Sequence, residues 1–229
     1  MVAYYREVGF LPAGVLNALG RLGWSLDDET EHFSLADLKQ HFSLDRVVKA
    51  SASLDADKLL SYQQHWMQHL PADEKLAGCE AVLVQAGLLA DSPTDADRTH
   101  LQRVLDLAGE RVRVFGEILS LDEFFVAAAD LEYSEKDFQK RLVKDDAATG
   151  RLQALKPLLQ ATDFSAEALH DVVQNFVEDQ EIKFGAIAPA LRIAVTGKAK
   201  GADLFPTLAL LGPEECTARI DRAIQLAAG

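Results

Sequence analysis

The sequence predicts an all-α protein, and three observations support this. In one segment after another, apolar residues recur every three or four positions, which is the period of an amphipathic helix. Several of these segments begin at a Ser or Asp that suits a helix N-cap and end near a Gly or Pro. No region alternates strand and helix patterns as a parallel sheet requires. We therefore expect two or three packed helical bundles.

The composition is that of a folded globular protein with an acidic surface. The chain has 229 residues, of which 48% are apolar, and a net charge of −13. Because Lys and Arg drive non-specific binding to phosphates, this charge argues against a general nucleic-acid binder. RNA binding would need positive charge concentrated on one face, or stacking and base-edge contacts.

The sequence shows no targeting, membrane or zinc signal. No apolar run approaches the roughly 18 residues that span a bilayer, and the N-terminal residues MVAYYREVGF lack the features of a signal peptide. We expect a cytoplasmic protein that contacts no membrane. Cys79 and Cys216 belong to no CxxC or His-containing cluster, so we expect two core thiols.

The first helical segment begins at Pro12, which suits a first helical turn, and is predicted to stop at Gly23. Its helical spacing predicts an apolar face formed by Val15, Leu16, Leu19 and Leu22. Trp24 and Phe33 flank an acidic loop at residues 26–31, and we expect them to close a core beneath it.

Ser34 is the predicted N-cap of the next helix, with Asp37 in the capping-box position. A further helix follows over residues 55–70 and is expected to end at Pro71. His65 and His69 on this helix have the i, i+4 spacing of a metal pair. No Glu or third ligand accompanies them, so we predict no metal site.

The polar linker at residues 90–97 separates two further helices and is a candidate boundary between sub-bundles. The helix after it carries an apolar stripe of Leu101, Val104, Leu105, Ala108 and Val112. Arg103, Arg111 and Arg113 lie off this stripe. Beyond it, Ser134 is a predicted cap for a helix whose outer face carries Glu135, Lys136 and Lys140.

Two amphipathic helices are predicted next, the second capped by Asp163 or Ser165. Its expected buried stripe comprises Leu169, Val172, Val173, Phe176 and Val177.

Residues 183–211 concentrate features that attract a phosphate. A Gly-containing loop, a polar run at residues 198–201 and a helix start at Asp203 follow one another. Backbone N–H groups at a helix start attract anions, and Gly permits close approach. The same residues equally suit a helix–loop–helix connection with solvated lysines.

Three blocks, in order, resemble the C-terminal region of bacterial glutamyl-tRNA synthetase, a class I aminoacyl-tRNA synthetase. They are YYREVGFLPAGVLNALGRLGWS at residues 4–25, FSLADLKQHFSLDRVVKASASLDADKL at 33–59, and ALRIAVTG, LFPTLALLG and EECTARIDRAI between 190 and 224. The resemblance implies helical bundles of an anticodon-binding region. It divides the chain into a stem-contact part, 1–71, and two anticodon-binding subdomains, 72–130 and 131–229.

The resemblance also implies RNA contacts in the first two parts. Lys58 would contact the tRNA backbone as a point charge. Gln63 stands where the family usually has Asn, which is a departure from the family pattern. Arg111 would read the last anticodon base with its planar guanidinium, and Arg113 would replace it if the helix register slips by two. A solvated surface arginine is the alternative for each.

In the third part, Arg192 matches an arginine that stacks on or contacts anticodon bases, and Leu204 a position that covers a splayed base. Lys198 and Lys200 are the accompanying cationic candidates. Asp203 departs from the family pattern, because a carboxylate there would repel a phosphate; it is also a possible helix cap.

The sequence has no HIGH-like or KMSKS-like motif, no Gly-rich phosphate loop and no nucleophile–base constellation. We therefore expect no catalytic residue, no cofactor and no enzymatic activity in this chain alone. The resemblance implies a parent glutamate–tRNA ligase.

The expected partners are a glutamate tRNA, held by its anticodon arm and stem, and a catalytic domain. That domain lies in cis if the chain is a piece of a longer enzyme and in trans if it is free-standing. The alternative is a free-standing helical protein-interaction module derived from this scaffold that no longer binds tRNA.

Overall fold

The computed structural model describes residues 2–48 and 53–229. Residues 49–52, which belong to the predicted block 33–59, lie outside the described residues. Within the described ranges every regular element is helical, and no strand occurs. The prediction of an all-α fold is confirmed. The chain divides into two compact units, Met1–Ser120 and Leu121–Gly229.

The first unit contains six α-helices in its described residues. They are α1 Val2–Val8, α2 Pro12–Gly20, α3 Leu35–His41, α4 Ala56–Gln68, α5 Ala72–Gln85 and α6 Asp95–Ala108. Short 3-10 turns cover Leu44–Arg46 and Gly109–Arg111, and a longer 3-10 segment, Phe115–Phe124, is kinked at Leu121.

Two buried side-chain amides hold α2 against α4. The amide of Gln63 accepts a hydrogen bond from the Leu11 N–H at 2.8 Å and donates one to the Leu11 carbonyl at 3.0 Å. Asn17 donates to the Glu31 carbonyl and accepts from the Trp66 indole N–H at 3.2 Å. Both amides are fully buried, and these bonds satisfy the polar groups that burial removes from water.

The apolar face predicted for α2 is wrong. The helix ends at Gly20 rather than Gly23, and Leu19 is 50% exposed. The buried positions are Gly14, Asn17 and Ala18, because small residues and an amide let α4 approach closely. A Cβ at Gly14 would collide with the amide of Gln63.

Other local predictions for this unit are confirmed. Ser34 and Asp37 form the capping box at the start of α3. Trp24 and Phe33 are buried and meet edge to face, with ring centroids 5.3 Å apart. The stripe predicted on α6 is buried throughout: Leu101, Val104, Leu105, Ala108 and Val112.

The second unit contains α7 Glu135–Phe138, α8 Ala148–Gln160, α9 Ala166–Asp179, α10 Ala188–Thr196, α11 Leu204–Leu211 and α12 Pro213–Ala228. A π-helical turn, Gln139–Val143, continues α7, and a 3-10 turn, Phe184–Ala186, precedes α10. Ser165 caps α9 by accepting from the Ala168 N–H at 3.2 Å.

One apolar core joins the helices of this unit, and the stripe predicted on α9 packs into it. Arg219 of α12 is 1% exposed and makes three hydrogen bonds inside this unit. Its guanidinium donates to the carbonyls of Val195 and Val126 and to the Glu215 carboxylate, each at 2.7 Å. Because each of the three nitrogens has a partner and one partner is a carboxylate, the buried charge is compensated.

Both cysteines are buried free thiols, as predicted. Burial raises the pKa of Cys79 and of Cys216 to about 12, so both are neutral at physiological pH. None of the described helices combines the length and the apolar character needed to cross a bilayer.

Candidate nucleic-acid interface

A sharp turn between α10 and α11 positions most of the predicted site residues. Helix α10 ends at Gly197, whose φ of 73° is left-handed and whose N–H donates to the Ile193 carbonyl at 2.9 Å. A Cβ at Gly197 would run into the carbonyl of Glu132. Only glycine therefore fits both the backbone angle and the space at this turn.

Side-chain hydrogen bonds hold the loop after Gly197 in one conformation. Arg192 donates from Nη1 to the Ala202 carbonyl at 2.7 Å. Thr196, which is 3% exposed, donates to the Arg192 carbonyl at 2.8 Å and accepts from the Lys198 N–H at 3.2 Å. Because the Arg192 guanidinium is tied to a loop carbonyl, its plane is fixed before any ligand arrives.

The two lysines of this loop have different surroundings. Lys198 forms ion pairs with Asp122 and with the buried carboxylate of Glu123, the latter at 2.6 Å. Burial lowers the pKa of Lys198, but the bonds from Asp122 and Glu123 outweigh it and raise the pKa overall. Lys200 is exposed. Lys198 is therefore held inside its unit, while the Lys200 ammonium faces solvent.

An open cleft of about 510 Å³ lies beside this loop. It is lined by Phe184, Ala188, Pro189, Arg192, Ala199, Asp203, Leu204, Phe205 and Pro206. The cleft combines one guanidinium with apolar and aromatic walls. This combination suits a flat, partly polar ring such as a nucleobase.

Aromatic rings from three different elements pack together, and two of them, Phe184 and Phe205, line this cleft. The Phe205 ring lies 5.0 Å from the His170 ring, edge on, and 6.1 Å from that of Phe184. Phe184 is 38% exposed, which is high for a large apolar side chain. The sequence motifs did not assign these rings. Phe184 and Phe205 do lie within residues 183–211, which the sequence identified as a candidate phosphate-binding segment.

Asp203 and Leu204 lie at the start of helix α11. Leu204 is only 8% exposed, and it forms part of the cleft wall. Asp203 occupies the N-cap position without a side-chain capping bond. Its backbone carbonyl instead accepts from the Thr207 hydroxyl at 2.8 Å. The Asp203 carboxylate is exposed at the rim of the cleft.

In the first unit, the two alternative arginines have different environments. Helix α6 ends at Ala108, so Arg111 lies in the 3-10 turn Gly109–Arg111 and not on a helix. Its guanidinium is exposed and makes a long bond of 3.4 Å to the Ala108 carbonyl. Arg113 is paired with the Glu117 carboxylate, which raises the pKa of Arg113.

Lys58 is an exposed residue in the first turn of α4, whose N-cap Asp55 accepts from the Lys58 N–H at 2.9 Å. It lines a cleft of about 220 Å³ together with Arg21 and Tyr62. Two cations and the carboxylate of Asp55 thus line one cleft in this unit.

The two histidines of α4 form a row of rings with His32. The His32 ring is stacked on the His65 ring, with centroids 3.7 Å apart and an interplanar angle of 18°. The His69 ring is tilted by 35° to the His65 ring, with centroids 4.3 Å apart. Stacked rings keep their nitrogens in parallel planes. Among residues 2–48 and 53–229, no group of three or more His, Cys, Asp or Glu side chains is arranged to hold a metal ion.

A family model described as the anticodon binding domain matches residues 62–224 of this chain. The chain belongs to the anticodon-binding domain family. The matched range includes every residue that lines the cleft beside Arg192, and it includes both Arg111 and Arg113 of the first unit.

The anticodon-binding chain is also similar to glutamate–tRNA ligases. It is 33% identical over 224 residues to the enzyme of Desulforudis audaxviator, covering 96% of this chain and 44% of that protein. It is 35% identical to the enzyme of Oleidesulfovibrio alaskensis, covering 97% of this chain and 47% of that one. The chain thus spans less than half the length of these relatives.

A solved structure of a glutamate tRNA ligase is also similar to this chain. The crystal structure of a glutamate tRNA ligase from Elizabethkingia meningosepticum, in complex with its amino acid, has a TM-score of 0.81 and 26% identity. The similarity covers 96% of this chain and 42% of that one. The predicted resemblance to glutamyl-tRNA synthetase is confirmed. Nothing in the family match or these relatives supports the alternative of a protein-interaction module.

Proposed function

We propose that this chain is the tRNA-recognition part of a glutamate–tRNA ligase and that it holds the anticodon arm of a glutamate tRNA. The cleft beside Arg192 is the observation that carries the proposal. It places a fixed guanidinium next to aromatic and apolar walls in a chain of the anticodon-binding family. Unpaired bases of an RNA loop are recognised by surfaces of this kind.

In this proposal, Arg192 stacks on or hydrogen-bonds a splayed anticodon base. Its bond to the Ala202 carbonyl uses one guanidinium nitrogen and orients the plane. Phe184 and Phe205 supply ring faces for stacking, which tolerates any base. Leu204 contributes apolar wall, and Lys200 places a cation where the RNA backbone would pass.

We propose Arg111 rather than Arg113 as the arginine that reads the last anticodon base. Bidentate base recognition requires an accessible guanidinium fork. Arg113 has its fork engaged by Glu117, while Arg111 is exposed on a turn. Lys58, beside Arg21, would meet the tRNA backbone in the first unit. Lys198 would act indirectly, by holding the loop.

The ligase reaction itself belongs to the part of such an enzyme that this chain does not cover. A catalytic domain would bind the acceptor end, while this chain fixes the other end of the same tRNA. We retain the division into residues 1–71, 72–130 and 131–229 as a proposal for stem contact and anticodon contact. We expect such an enzyme to work in the cytoplasm.

Equilibrium binding of labelled glutamate and glutamine tRNAs, at several salt concentrations, tests this function. We expect the chain to prefer glutamate tRNA, and Arg111→Ala to reduce that preference by roughly tenfold, equivalent to about 1.4 kcal/mol. Arg113→Ala is the matched control and should leave the preference unchanged. Equal, weak binding of both tRNAs by the unmodified chain would contradict the proposal.

A further inference from the structure

Four cations cluster on the outer side of α7 and the π-helical turn that continues it. Lys136, Lys140, Arg141 and Lys144 fall within nine residues, and all four are exposed. At about 1.5 Å per residue, the segment is about 13 Å long. A net charge of −13 makes such a concentration unexpected in this chain. We call these four residues the basic ridge.

The opposite side of the same segment is fixed in the core of its unit. Phe138 is 8% exposed and Leu142 is 2% exposed, and both belong to the apolar core. Phe138 lies two residues from both Lys136 and Lys140, and Leu142 lies two residues from both Lys140 and Lys144. Residues two positions apart on a helix point to roughly opposite sides. The cations are therefore presented to solvent by an anchored element. A π-helical turn is rare and often occurs at functional sites.

Within residues 2–48 and 53–229, the cations of the basic ridge have no carboxylate partner. In the part of the chain that the structure describes, none of the four makes an ion pair. Neighbouring acids are partly engaged elsewhere: Asp137 accepts from the Ser134 hydroxyl at 2.9 Å, and Asp145 pairs with Arg151 at 3.1 Å. Glu135 and Asp146 are exposed at the two ends. The middle of the ridge remains cationic.

The basic ridge begins beside the loop of the candidate site. The Ser134 N–H, directly before α7, donates to the Gly197 carbonyl at 2.8 Å. Gly197 is followed by Lys198 and Lys200, which belong to the loop at the cleft. An extended anion held at the cleft thus has a cationic surface next to it within the same unit.

We infer that the basic ridge binds the phosphate backbone of the RNA whose unpaired bases enter the cleft. This inference rests on the proposed function and adds to it a second contact surface that reads no sequence. Exposed Lys and Arg in a row neutralise successive phosphates without a base-edge contact. The ridge should therefore raise the affinity for every tRNA by the same factor and leave the preference among tRNAs to the cleft.

The test compares two triple variants that remove the same charge. The ridge variant is Lys140→Gln, Arg141→Gln and Lys144→Gln. The control variant is Lys75→Gln, Arg103→Gln and Lys156→Gln, which also removes two lysines and one arginine, at positions that line neither of the two clefts. Binding of glutamate and glutamine tRNA is measured between about 50 and 300 mM salt. Over this range the Debye length falls from about 14 Å to about 6 Å.

We expect the ridge variant to lose about tenfold in affinity for both tRNAs at low salt and to reduce the slope of log affinity against log salt by about 2. The control variant should lose less than about twofold. An unchanged slope in the ridge variant, or equal losses in the two variants, would overturn the inference. If the unmodified chain binds neither tRNA, the proposed function itself fails, which is a distinguishable result.

Discussion

Lys198 donates a hydrogen bond to the carboxylate of Glu123 at 2.6 Å, although the two residues are 75 positions apart in sequence. The Glu123 side chain is 3% exposed, so its charge is compensated mainly by this ammonium group. The pair fixes the first residue of the loop that carries Lys200 and receives the Arg192 bond. A residue suggested by sequence as an RNA contact thus has a structural partner of its own.

Replacing Lys198 by Met should destabilise the second unit. The substitution leaves the buried Glu123 carboxylate without its cation, and we expect a loss of about 2–4 kcal/mol in the free energy of unfolding. Urea denaturation measures it. Lys156→Met, which removes a more exposed pair with Asp221, is the control and should cost no more than about 1 kcal/mol. Equal losses for both variants would contradict the assignment.

Gly197→Ala should cost more than Gly87→Ala. Both glycines have a φ of 73°, so both substitutions incur left-handed strain of about 1 kcal/mol. A methyl group at Gly197 also collides with the Glu132 carbonyl, whereas nothing lies within 4 Å of one at Gly87. We expect an additional loss of at least about 1–2 kcal/mol at Gly197. Denaturation midpoints that fall equally would show that the close approach does not exist.

The Gln63 amide should be essential to the first unit. Gln63→Leu keeps the volume but leaves the Leu11 N–H buried without its partner, while the Leu11 carbonyl keeps only the bond from the Val15 N–H, and we expect a cost of about 1–3 kcal/mol. Gln64→Leu, next in sequence, loses only an exposed bond to Glu110 and should change stability by less than about 0.5 kcal/mol. A Gln63→Leu protein as stable as the parent would refute the bridging role of this amide.

The stability of the first unit should fall below about pH 6.5. Burial, then the neighbouring His32 and His69, lowers the pKa of His65 below its unfolded value of about 6.5. The unfolded chain therefore binds a proton at this position at a higher pH than the folded chain does. The contribution of neutral His65 to the free energy of unfolding is full above about pH 6.5. It is lost as pH falls through the folded pKa.

Thermal denaturation between pH 5 and 8 measures this dependence. In His65→Gln the fall in melting temperature between pH 7 and 5.5 should be smaller than in the parent. His41→Gln, at an exposed position on α3, is the control and should retain the parent's pH dependence. Parallel curves for the parent and His65→Gln would exclude the stacked histidines as the cause.

Local features were predictable from sequence because their partners are close along the chain. The Ser34–Asp37 capping box and the buried stripe on α6 each depend on residues within a few positions of one another. Sequence periodicity failed at α2, where the contact with α4 uses Gly14, Asn17 and Ala18 instead of large apolar side chains.

The candidate site was located by sequence, but its contacts were not. The family motif identified Arg192, Lys198 and Leu204, while the bond of Lys198 to Glu123 and the low exposure of Leu204 depend on residues distant in sequence. The helix predicted through Arg111 ends at Ala108, because the chain changes to a 3-10 turn at Gly109. The RNA contacts of all seven predicted site residues remain predictions.

The most direct test of anticodon recognition replaces the ligand rather than the protein. Glutamate tRNA is compared with the same tRNA in which the three anticodon nucleotides are changed and the rest is kept. We predict that the unmodified chain binds the altered tRNA at least about tenfold more weakly, and that Arg192→Ala removes most of this difference. Equal affinity of the unmodified chain for the two tRNAs would contradict the account.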